Sequence, residues 1–191
     1  MGLTIYYSGS ISSEKLLGPL IEEVSDICKS LEWKSTILTG GNNDDQLTGI
    51  CFSPEKSEPV FLTFLPGGRL CSPTNLLCKD IYDEVQFAKE LMFTACTKTQ
   101  YAGPEAHIAI IKLLKYISGK YLTNFVVNDE GKYWETGDEK VLYAEFDKYN
   151  LLVNIVDKAL NDLHRSPADT PGSLAEKIQQ ILKGKFKDGT A

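Results

Sequence analysis

The alternation of apolar and polar residues opens with Leu3, Ile5 and Tyr7 against Thr4 and Tyr6, which predicts a half-buried strand. Ser8 to Ser13 reads as a turn whose serines can cap a helix. Leu17, Leu20, Ile21, Val24, Cys28 and Leu31 then recur at helical spacing, with Pro19 early in that helix or kinking it. Residues 34–39, 47–53 and 59–65 predict three strands, with a loop at Gly40–Asp45 and a glycine-marked hairpin turn at Leu65–Leu70. Residues 72–90 give no clean period.

The second half is more regular. Leu91–Thr97 predicts a strand. Gly103-Pro104 opens a helix carrying His107, Ile110, Ile111, Leu114 and Ile117 on one stripe. Leu122–Val127 predicts a strand, Asn128–Gly131 a turn, and Lys132 to Trp134 a short return strand. A long helix follows over about 138–163, with an apolar seam of Leu142, Phe146, Tyr149, Val153, Val156 and Leu160. Ser166–Ser173 reads as a linker, and 174–186 as a short amphipathic helix on Leu174, Ile178, Ile181 and Leu182.

These elements predict an α+β fold: one domain over 1–165 and a linker with a terminal helix over 166–191. Its sheet would be mixed but largely antiparallel, of about six to eight strands, with helices packed on one face. The order strand, turn, helix, strand, loop occurs at 3–45 and again at 91–137, so the two halves could be a structural duplication.

Composition narrows the function classes. The chain has 191 residues, 42% hydrophobic, with a formal net charge of −6. That is ample core material, and the acidic balance without a basic run argues against nucleic-acid binding. The N-terminal MGLTIYYSGS lacks the features of a signal peptide, and no segment approaches a membrane span. The five cysteines are odd in number and lack CxxC spacing, as expected for reduced thiols in a cytoplasmic protein.

Candidate chemistry gathers on one edge. If the strands flanking the 104–119 helix run parallel, the first strand's end, the helix start and the second strand's end share that edge. It holds Lys98, Thr99, Gln100 and Tyr101, then His107, then Asp129 and Glu130, with Tyr133, Trp134 and Glu135 close by. The candidate ligand-binding residues are Lys98, Gln100, Tyr101, His107, Asp129, Glu130, Tyr133 and Trp134. Each also has a plain role: His107 in packing, Asp129 and Glu130 in a turn, and Tyr133 and Trp134 covering the sheet. The matching edge of the first half holds Ser8, Ser10, Ser12, Ser13, Asp44 and Asp45. No P-loop, dinucleotide fingerprint or zinc-ligand spacing occurs, so no metal or cofactor is expected; a divalent ion on Asp44 and Asp45 is the weaker alternative.

The stretch KTQYAGPEAHIAIIKLLKYI at 98–117, followed by NDEGKYWETGD at 128–138, resembles a family of uncharacterised bacterial proteins with a KTQYA…H…DEGxYWE pattern. The resemblance extends to residues 3–33. It implies a bacterial origin and brings no activity. The expectation is a non-enzymatic protein that binds a small molecule or a protein partner, with self-association among the options. The alternative is a small enzyme using His107 as general acid or base, Asp129 or Glu130 orienting it and Lys98 holding an anion.

Overall fold

The computed structural model describes residues 3–40, 46–78, 91–161 and 170–188. The fold is α+β. Its described elements are β1 (Thr4–Ile11), α1 (Leu17–Ser30), β2 (Lys34–Leu38), β3 (Thr48–Ser53), β4 (Val60–Phe64), α2 (Pro73–Leu77), β5 (Ala95–Lys98), α3 (Pro104–Tyr121), β6 (Leu122–Asp129), α4 (Tyr133–Thr136), α5 (Glu139–Asn161) and α6 (Pro171–Asp188). The Asp44–Asp45 pair, residues 79–90, His164 and the 166–169 half of the expected linker fall outside the described residues. By contact the chain forms two compact units, residues 1–143 and 144–191.

The described strands form two antiparallel sheets of three, ordered β5-β1-β6 and β2-β3-β4, instead of one sheet of six to eight. The reason lies in β1. One edge of β1 is taken by β6 along its length. The other edge is shared end to end: β5 takes Thr4 to Tyr7, and the segment after the 65–68 turn takes its far end. There the Ile11 N–H donates to Gly68 O (2.8 Å) and the Leu70 N–H to Gly9 O (3.0 Å). The same segment bridges back to Phe64 of β4, joining the sheets. These partners also explain why Ser8–Ile11 is strand rather than turn. Backbone pairing overrides a composition of Ser and Gly.

Inside the join, the buried Tyr7 hydroxyl donates to Phe61 O (3.1 Å) and accepts the Phe61 N–H (2.9 Å). Burial pushes the Tyr7 phenol well above its ordinary pKa. Packing on α1 and α3 fills the core. Leu20, Val24 and Cys28 of α1, and Ile110, Ile111, Leu114 and Ile117 of α3, are fully buried. α1 lies against β2 and β3, and α3 lies against β6. Across the outside of these two helices, Glu23 accepts from Tyr116 (2.6 Å), Tyr121 and Lys120 (2.9 Å), and those donors hold its carboxyl down at about 2.

The two strand–helix–strand halves differ. β1 and β2 lie in different sheets, and the Asp44–Asp45 end of the expected first-half edge lies outside the described residues. β5 and β6 are both antiparallel to β1 and therefore parallel to each other, with α3 crossing between them. All five cysteines are free thiols. No helix among the described residues is long and apolar enough to cross a membrane.

Candidate functional site

The crossover places the expected edge where strand direction requires it. The ends of β5 and β6 and the start of α3 come together, and His107, Asp129 and Thr99 meet there. Each is put there by local geometry. β5 ends at Lys98, and the next residue, Thr99, points inward and is fully buried. Thr99 O accepts the N–H groups of Ala102 (2.9 Å) and Gly103 (3.1 Å), closing a tight turn. Gly103 (φ 89°) occupies backbone space that side-chain-bearing residues rarely adopt. Pro104 then starts α3, and one turn later His107 faces the core.

The imidazole has a partner on each side. Nδ1 is 2.7 Å from Thr99 Oγ1, and Nε2 is 3.0 Å from Asp129 Oδ1. Asp129 in turn organises the DEGKYW turn. Its Oδ1 accepts the Gly131 N–H (2.8 Å), and its Oδ2 accepts those of Tyr133 (2.8 Å) and Trp134 (2.9 Å). A carboxylate gathering backbone N–H groups in this way is a helix cap. That is why residues 133–136 form helix α4 and not the expected return strand. Burial raises the Asp129 carboxyl, but His107 and the N–H groups of Trp134 and Gly131 outweigh it, leaving it below the ordinary carboxylate range. Gly131 must be glycine for a packing reason. A Cβ there would lie 2.6 Å from Leu142 Cδ1 and 2.8 Å from His107 Nε2.

Hydroxyl, imidazole and carboxylate thus stand in the order of a nucleophilic triad. Access decides against that chemistry. Thr99 and His107 have no exposed surface and Asp129 only 4%. A general base must reach a substrate proton directly or through one water. The geometry fits a structural clasp in which Asp129 ties α3, β6 and α4 together.

The remaining expected residues surround this clasp without converging on it. Lys98 is exposed, and its backbone N–H donates to Glu58 Oε2 (3.1 Å). Gln100 is half-buried in the turn, and Tyr101 is 74% exposed. Glu130 turns away to β1, its Oε2 accepting the Thr4 N–H (2.8 Å). Tyr133 is buried, whereas Trp134 is half-buried, edge-on to Phe125 at 6.0 Å with Lys115 Nζ 5.4 Å from its ring. Thr99 and Gly131 complete the clasp and were not among the candidate residues. The inward alternation of β5 marks Thr99, whereas nothing local marks Gly131, whose constraint comes from Leu142 and His107. Among the described residues, no group of three or more His, Cys, Asp or Glu side chains could hold a metal ion.

No family model, curated protein or solved structure matches the chain.

Proposed function

We propose that this is a non-enzymatic interaction protein of the bacterial cytoplasm, a relative of the family that the KTQYA and DEGKYWE stretches resemble. Its working surface is the open end of the α5 seam, and the partner is a second copy of the chain.

The supporting observation is how the seam changes along the helix. Residues 142, 146, 149, 153, 156 and 160 alternate steps of four and three, the spacing of a coiled-coil stripe. Leu142 and Phe146 are buried, but Val153 (41%), Val156 (38%) and Leu160 (46%) remain exposed, with Leu152 beside them. Single exposed apolar residues are ordinary; a periodic row of them is a contact surface. Covering what each side chain leaves exposed is worth about 1 kcal/mol apiece. A stripe of this period accepts another of the same period, and a second copy supplies one. The rival, an acid–base enzyme on His107, has a short distance to Asp129 in its favour and a buried imidazole against it.

Sedimentation velocity over a roughly hundredfold concentration range tests the reading. Wild type should sediment as a dimer that dissociates on dilution. Val156→Asp and Leu160→Lys should each shift it to monomer with an unchanged circular dichroism spectrum. A wild-type monomer throughout that range would sink the proposal.

A further inference from the structure

A second surface, built by the joined sheets and separate from α5, has the chemistry of a ligand site. β1 and β6 lose register at Gly9. Ser8 pairs with Val126 but Ser10 with Thr123, so Asn124 and Phe125 together oppose one residue. Asn124 absorbs the extra residue in the left-handed region (φ 50°). Such bulges recur beside functional sites because they re-aim side chains. Here the bulge opens a cleft of about 360 Å³ lined by Ser8, Ser10, Arg69, Phe93, Thr94 and Asn124.

Among the described residues the lining is rich in donors and holds no acid. Arg69 reaches it because its backbone bridges to Ser10. Its guanidinium lies over the Phe93 ring, with Cζ 3.4 Å from the ring centroid. Phe93 is itself held against a buried cluster of Leu47, Cys71 and Met92. A guanidinium held over a ring keeps N–H groups to donate, and Arg69 is exposed. Among the described residues no carboxylate lies within ion-pair distance of Arg69. The side chains of Ser8, Ser10 and Asn124 likewise make no hydrogen bond among those residues. A cation seated over a ring, with no carboxylate partner among the described residues and beside hydroxyl and amide donors, is arranged to receive an oxyanion.

A second cleft of about 320 Å³ adjoins the first. It shares Ser8 and Thr94 and continues over Tyr6, Leu91 and Val126. Its aromatic and aliphatic walls suit an apolar body next to the charged head.

We infer that the bulge cleft binds a small organic anion, its carboxylate or phosphate head on Arg69, Ser8, Ser10 and Asn124 and its apolar body on Tyr6, Leu91 and Val126. The inference is independent of the α5 reading, since no residue is shared. Calorimetric titration of the full chain with phenyl phosphate, benzoate, inorganic phosphate and benzyl alcohol tests it. One or both aryl anions should bind at least ~10-fold more tightly than inorganic phosphate and benzyl alcohol, and which of the two binds tighter identifies the head. Arg69→Met should weaken that binding ~10-fold or more, with Arg69→Lys between it and wild type, because a lysine keeps the charge but not the fork. Val126→Asp should remove the advantage of the aryl group. Melting temperatures of the variants within a few degrees of wild type would show that the fold is kept. Absence of binding by both aryl anions, equal binding of benzyl alcohol, or Arg69→Met binding like wild type would overturn the inference.

Discussion

Asp129 receives three backbone N–H groups and one imidazole while shielded from water, so its charge is both costly and heavily compensated. The sign of its pH dependence follows from the depressed carboxyl. The unfolded chain titrates near the ordinary value of about 3.9, above the folded one. The stabilisation is therefore complete above that pH and is lost as pH falls through the folded value. Urea unfolding across an acid series should show Asp129→Asn less stable than wild type by about 3 kcal/mol at neutral pH. The variant should also have a shallower decline below pH ~4, and an unchanged decline would mean that the carboxylate is not the linked group. Gly131→Ala tests the same clasp by volume. Its methyl meets Leu142 and the His107 ring, and a loss of about 2 kcal/mol is expected from chemical denaturation. At this scale the sequence was informative about which residues gather, and less so about their purpose. The edge holding His107 and Asp129 follows from strand direction. The apolar stripe of α3 already gave His107 a place in the packing, whereas the burial of Asp129 comes from tertiary packing that no local pattern encodes.

Among the elements, agreement follows how far local periodicity controlled the outcome. The helices at 17–30, 104–121 and 139–161 carry long apolar stripes and form as their spacing predicts. Lys132–Trp134 holds β-prone Tyr and Trp, yet one carboxylate five residues back supplies enough caps to wind it into α4. The Ser8–Ile11 stretch is strand because of partners far along the chain. The division into two sheets is similarly non-local, and the Tyr7 hydroxyl shows what holds it. Tyr7→Phe would leave both the N–H and the C=O of Phe61 without that partner at the sheet join. A loss of about 2 kcal/mol in thermal or urea unfolding is expected, whereas a difference below ~0.5 kcal/mol would mean that water replaces the hydroxyl.

For the molecule as a whole, dimerisation through α5 has a thermodynamic signature beyond sedimentation. If the copies associate in the folded state, the melting temperature should rise with protein concentration, and Val156→Asp should abolish that rise. The acidic balance of the chain gives such an equilibrium a salt dependence, with association tightening as like charges are screened. One consequence of the sheet order concerns synthesis. The opening strand sits between two strands from the second half, and Thr4 bonds to a side chain 126 residues away. While a ribosome makes the intervening residues, at about 5–20 per second, that strand lacks both of these neighbours and can pair only at its far end with the 68–70 segment. Its apolar Leu3, Ile5 and Tyr7, buried in the finished fold, wait for several seconds, a window in which a nascent-chain chaperone would find them.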